Sequence, residues 1–212
     1  MTIAAMMAAA CRQSPETIEN LQLPARATAG RTTGGEATVD GRIRYDPNTR
    51  PVFVAPDGSR HPIASLLALP GKMTFGDFVW NDRAVSAKPI WIRVDLPRQL
   101  ISVFRGADEI GTAVIVYGSD GKATPSGTFP ILGKERMHRS SLYDADMPNT
   151  LWLTHDGVAI HASTVELGRA THGCIGIPPD FARKLFAVAS PGDTAIILPA
   201  PPSAGAELDT DA

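Results

Sequence analysis

From residue 90 to residue 96 the chain keeps an apolar side chain at every second position, and that period admits a strand and little else. Ile90, Ile92, Val94 and Leu96 interleave with Trp91, Arg93 and Asp95, the pattern of a strand with one face on a core. Pro97-Arg98 turns the chain. Residues 99–105 read as a second strand, 106–109 as a turn and 110–117 as a third strand, which makes an antiparallel meander. Further strands are predicted at 128–132, at 151–154 and 157–161 about Asp156-Gly157, and at 193–198. Residues 180–189 differ, since Phe181, Leu185 and Val188 fall on one helical face. Pro178-Pro179 opens that helix and Ser190-Pro191-Gly192 closes it. Residues 64–69 could add a helical turn ending at Pro70-Gly71. With 19 Gly and 18 Pro, the expected fold is mainly β with one or two short helices.

The 212 residues suit one domain with an appendage. Residues 1–50 read as a leader and linker, poorly ordered, because they are polar after the tip and lack periodicity. Residues 51–88 read as a small N-terminal extension packed on the main domain, with two short strands about Pro56-Asp57-Gly58 and a solvent-exposed His61. Trp80 and Trp91 read as core or domain-contact residues. The main domain spans 89–199, and 200–212 is a Pro/Ala/acidic disordered tail. Formal net charge is −2 with no basic run, which argues against a nucleic-acid partner. No stretch approaches the ~18 apolar residues that a membrane span needs. Residues 1–10, M-T-I-A-A-M-M-A-A-A, look like the tail of an export signal without its basic start. Small residues before Cys11 resemble a lipoprotein processing site, so Cys11 is a candidate for acylation, and a membrane partner is expected only in that case.

Chemistry concentrates at Thr171-His172-Gly173-Cys174, a short connection after His161. Acyl transfer by cysteine needs a sulfur nucleophile, an imidazole near it, and N–H donors where the carbonyl oxygen becomes negative. An activated cysteine of this kind is expected to be largely thiolate near neutral pH. Gly173 permits close approach of backbone to substrate. Two other readings stay open on these residues. Cys174 could be a buried structural thiol. His155, His161, His172 and Cys174 could form a zinc set, although their spacing fits neither C-x-x-C nor H-E-x-x-H. Residues 134–149 are charged and aperiodic, as in a long functional loop or lid.

Thr171-His172-Gly173-Cys174-Ile175 resembles the S/T-H-G-C signature of the YkuD-like L,D-transpeptidases. Ile160-His161-Ala162-Ser163 resembles that family's upstream histidine element, and Thr124-Pro125-Ser126-Gly127-Thr128-Phe129 its T-P-x-G-x-F element. Residues 92–96 followed by 99–104 resemble its opening strand pair. His138 to Tyr143, with Met147-Pro148, resembles the loop before its active site. The likeness runs over residues 90–198 with the elements in order.

The resemblance implies a β-sandwich whose cysteine lies in a cleft under a lid loop. It implies a periplasmic or cell-envelope enzyme acting on peptidoglycan stem peptides, with no metal or organic cofactor. Cys174 would attack the third stem residue, expel D-alanine and pass the acyl group to a neighbouring amine as a 3→3 crosslink. His161 would shuttle the proton, with Nδ1 oriented by a carbonyl such as that of Ala162. His172 would shape the pocket, and Gly173 with Cys174 would supply oxyanion donors. Arg139, Tyr143, Met147 and Thr171 would contact substrate, and Trp152 would help line the cleft. Many members carry Arg or Asn two residues after the cysteine, where this chain has Gly176, so Arg139, Arg136 or Arg169 is expected to substitute, Arg139 first. The same thioester could go to water, as in an L,D-carboxypeptidase. Gly176 also leaves room for a wall-binding module without catalysis.

Overall fold

The computed structural model describes residues 38–118, 122–140 and 144–199. The readings made for Cys11, Tyr143 and residues 200–212 lie outside them. In chain order the elements are β1 (Thr38–Val39), β2 (Arg42–Arg44), β3 (Val52–Val54), β4 (Arg60–Pro62), β5 (Ser65–Leu67), β6 (Phe78–Trp80), β7 (Ile90–Asp95), β8 (Leu100–Arg105) and β9 (Asp108–Val114). There follow β10 (Gly127–Pro130), β11 (Gly133–Ser140), β12 (Ala145–Trp152), β13 (Ala159–Ala162), β14 (Ile175–Ile177), α1 (Pro179–Val188) and β15 (Thr194–Leu198).

The three strands expected over 90–117 form the meander β7–β8–β9, paired antiparallel. It forms the middle of a nine-stranded sheet ordered β1-β2-β5-β9-β8-β7-β15-β10, with β6 also paired to β9. A second sheet runs β11-β12-β13-β14, and β3-β4 is a separate hairpin. The two larger sheets share one core. Ile92, Val94, Ile101 and Val103 of the first meet Leu151, Ile160, Ile175 and Ile177 of the second. The helix α1 packs on β9, β12 and β13 through Phe181, Ala182, Leu185 and Phe186. Each such large side chain contributes about 1.5–3 kcal/mol by leaving water. The fold is mainly β with one short helix among the described residues.

Four local readings differ from the structure. First, Arg93 and Asp95 do not face solvent but are 4% and 1% exposed, beside Trp91, which is buried as expected of a core or contact residue. A second core covers them: Phe53, Ile63 and Leu66 pack with Trp91, Phe104, Ile196 and Leu198. Trp91 stacks on Phe104 at 4.1 Å between centroids, and the Arg93 guanidinium lies over Phe53 and pairs with Asp95 at 2.6 Å. His61 belongs to this cluster, 4.4 Å from the Trp91 ring, and burial lowers its pKa. Second, part of the segment read as linker is folded. β1 and β2 lie within it, and Arg42 is buried with hydrogen bonds to the carbonyls of Glu109 and Asn81. Third, residues 65–67 form a strand of the large sheet instead of a helical turn, because their three side chains are all buried between neighbours. Fourth, the lid is not a loop. Residues 133–140 and 145–152 pair as the antiparallel β11–β12 hairpin, from Gly133↔Trp152 to Ser140↔Ala145. No residue of β11 is buried, so no alternation marks it in the sequence.

Candidate active site

Cys174 immediately precedes β14, which pairs in parallel with β13 in the register Ile160↔Ile175 and His161↔Gly176. The nucleophile motif therefore runs beside the strand that carries His161. On its other side it is stitched to the chain leaving β9. Val116 and Gly176 exchange two backbone hydrogen bonds (3.0 and 2.8 Å), and the Thr171 N–H donates to the Tyr117 carbonyl at 3.0 Å. Gly118 lies so close that a Cβ there would meet the Gly173 nitrogen at 2.8 Å. The Gly118 N–H is itself held by the buried Thr124 hydroxyl at 2.9 Å. The T-P-S-G segment thus braces the floor beneath Gly173, whose φ of +99° suits glycine.

Cys174 is half-buried. Its thiol donates to the Gly157 carbonyl at 3.5 Å, and the Ala159 N–H points at the sulfur. Burial raises its pKa from the usual thiol value, while the Ala159 N–H and the Lys122 charge act in the opposite sense. His161 is buried, and its Nδ1 lies 2.9 Å from the Ala162 carbonyl. That carbonyl takes the Nδ1 proton, which leaves Nε2 as the acceptor nitrogen. Burial lowers the His161 pKa, the Ala162 hydrogen bond raises it, and His138 on the overhanging hairpin lowers it further. In the resting arrangement the sulfur is bonded to Gly157 and not to the imidazole. Among the described residues no backbone acceptor takes the Gly173 or Cys174 N–H, and Gly173 is buried with its nitrogen close to Gly118. No three His, Cys, Asp or Glu side chains gather as a metal site among the described residues.

A family model described as YkuD, the L,D-transpeptidase catalytic domain, matches residues 89–197. The chain belongs to the YkuD family. An L,D-transpeptidase (Yku) from Stackebrandtia nassauensis superposes with a TM-score of 0.50 at 26% identity, covering 55% of this chain and 58% of that one. An L,D-transpeptidase from Mycobacterium tuberculosis gives a TM-score of 0.49 at 20% identity, covering 52% and 58%. The YkuD chain thus spans well under two thirds of the length of these solved relatives. No curated protein gives a match.

Several residues expected at the substrate have other partners in this YkuD chain. The Thr171 hydroxyl donates to the Cys174 carbonyl at 2.5 Å and so closes the nucleophile loop on itself. Met147 is buried, opposite His138 in the hairpin register. His172 is exposed. Arg139 is exposed and clamped by Asp144 (2.7 Å) and Asp146 (2.8 Å). Arg136 lies over the Phe186 ring, and Arg169 pairs with Glu166 at 3.5 Å. None of the three arginines proposed to substitute at position 176 is unengaged. Trp152 is on the hairpin, edge-on to His138 and donating to Glu135 at 3.0 Å. Gly176 has a steric cause: a Cβ there would meet Val116 Cγ2 at 2.7 Å and Ser163 Cβ at 2.8 Å. Lys122 was not anticipated. Its stem runs along Gly173 and its charge acts on Cys174, but a single lysine in a Gly/Ser loop has no sequence pattern to mark it.

Proposed function

We propose that this YkuD domain is a peptidoglycan L,D-transpeptidase working outside the cytoplasm on stem peptides through a Cys174 thioester. The observation that carries this reading is the pairing of β13 with β14. It sets a buried imidazole with a defined tautomer beside the nucleophile strand, next to Gly173 and Cys174, whose N–H groups no backbone acceptor among the described residues takes. The proposed reaction requires Sγ to leave the Gly157 carbonyl and meet His161 Nε2, through a change of Cys174 rotamer. Catalytic hydrogen bonds are commonly longer before substrate arrives.

In the proposed reaction Sγ bonds to the carbonyl carbon of the third stem residue as Nε2 takes the thiol proton. The oxyanion meets the Gly173 and Cys174 N–H groups. The C–N bond to the terminal D-alanine breaks, and the proton passes to that leaving amine. An amine from a second stem then attacks the thioester, gives its proton to Nε2 and restores the thiol as a 3→3 crosslink forms. Water in place of that amine would give a carboxypeptidase, and the acceptor depends on what the β11–β12 hairpin excludes.

Intact-protein mass after incubation with tetrapeptide stems tests the proposal. The expected result is an adduct on Cys174 with release of D-alanine, followed by dimeric stems. Cys174→Ala should give no adduct, and His161→Gln should slow acylation about 10²–10⁴-fold, the range for loss of a general base. An adduct of equal yield on the Cys174→Ala protein would remove Cys174 from the mechanism. Trimmed stems without dimers would favour hydrolysis.

A further inference from the structure

Position 176 can hold no side chain, yet a cleft for a stem peptide needs something to meet that substrate's carboxylates. The cations around the site are accounted for one by one. Arg139 is held by two aspartates and Arg169 by Glu166. Lys134 donates to the carbonyls of Phe186 and Ala189, and Arg136 lies over an aromatic ring. Lys122 differs. It is exposed and makes no ion pair among the described residues. Its position is nonetheless defined. Its carbonyl abuts Gly118, at 2.3 Å from where a Cβ would stand, and that glycine is anchored to Thr124. Its Cγ, Cδ and Cε line the space over Gly173, at 3.4 to 3.6 Å from where that residue's Cβ would be. The stem therefore runs beside the peptide unit that is proposed to receive the oxyanion, and its ammonium has no ion-pair partner among the described residues.

We propose that Lys122 is the specificity-determining cation of the cleft, holding the terminal carboxylate of the acyl donor's leaving residue beside Gly173 while Cys174 attacks. This rests on the acyl-transfer reading above and deepens it. A compact ammonium on a flexible stem suits a carboxylate that departs after each turnover, because it attracts charge without a rigid bidentate fit. The same charge acts on Cys174 in the sense that favours its anionic form, against the larger effect of burial. It lowers the pKa of Asp156 as well, a smaller cause there than the Thr154 hydrogen bond.

The test compares alkylation of Cys174 by iodoacetate, an anion, and by iodoacetamide, its neutral counterpart, in the full chain with the site mapped by peptide mass. The ratio of the two rates cancels changes in thiol reactivity and reports only attraction of negative charge. Lys122→Gln should lower the ratio by about threefold or more and Lys122→Glu further, the scale of one unit charge across a partly solvated cleft. Lys122→Arg should preserve it. A smaller fall in both Lys122→Gln and Lys122→Glu overturns the proposal. With stems as donors, Lys122→Gln should raise KM far more than it lowers kcat. That penalty should vanish for donors whose terminal carboxylate is amidated. If amidation of the third residue's side-chain carboxylate removes it instead, the assignment to the leaving residue is wrong. Failure of the wild-type chain to acylate at all would sink the transpeptidase reading, and the alkylation ratio would still decide whether an anion site exists.

Discussion

Burial acts on Cys174 and His161 in opposite directions and with one result. It raises the thiol pKa above its ordinary 9.0 and lowers that of the imidazole below 6.5, so both groups are neutral at pH 7. The expected thiolate is therefore not the resting form. A neutral pair is the correct starting point for a base that must take a proton as the sulfur attacks. The sign of the pH dependence follows. Iodoacetamide reacts with the anion alone, so the alkylation rate of Cys174 should climb about tenfold per pH unit through neutrality and keep climbing past pH 9. Acylation by a stem, with proton transfer inside the site, should instead hold level from about pH 6.5 to 9, falling on the acid side only once His161 gains its proton. A rate of alkylation that levels off near pH 7 would contradict the neutral pair. At this scale much was legible in the sequence. Cys174 and His161 lie in short motifs with distinctive neighbours, and the Ala162 carbonyl was the expected partner of Nδ1. Lys122 was not legible, since its placement depends on Gly118, Thr124 and Gly173 converging from separate segments.

At the scale of elements, β13 and β14 carry the site, and a missing side chain governs their fit. Val116 and Ser163 occupy the space over Gly176. Gly176→Ala should cost about 1–3 kcal/mol, the usual range for overpacking, and Gly176→Arg more. Thermal melting checks this, and an unchanged midpoint for Gly176→Ala would mean that Val116 yields freely. The sequence could not disclose the constraint, because a departure from a family pattern reads equally as lost function or as lost space. The β11–β12 hairpin was illegible for a different reason. Hydrophobic period reports burial on one face, and β11 has no buried residue to report. What organises it is polar: Glu135 joins His138 at 3.0 Å and Trp152 at 3.0 Å, while Arg139 ties the far end to Asp144 and Asp146.

Across the whole molecule the N-terminal residues are part of the architecture. Phe53, Ile63 and Leu66 cover Trp91, Phe104, Ile196 and Leu198 on the face of the large sheet turned away from the sandwich core. Losing those three alone forfeits about 1.5–3 kcal/mol each, a large share of the 5–15 kcal/mol that domains typically have. A chain beginning at residue 89 should therefore melt much lower than the full chain, or without a sharp transition, and bind a hydrophobic dye. Equal melting of the two would show that the second core adds no stability. The alternation at 90–96 pointed to one buried face; that the extension packs on the domain was legible, but not that it buries Arg93 and Asp95, because the covering residues come from short segments 25–40 positions upstream.

The strand β15 lies between β7 and β10 and pairs with both, in parallel with the first. Its seat in the sheet is flanked by strands that are made long before it. During synthesis the meander must wait with an open seam until residues 194–198 emerge, and such long-range closure is slow. Shortening the chain by this one strand would strip β10 of its partner, leave β7 as a bare margin and take side chains out of both cores at once. Premature stops just before residue 194 should thus be far more damaging than the loss of so few residues suggests.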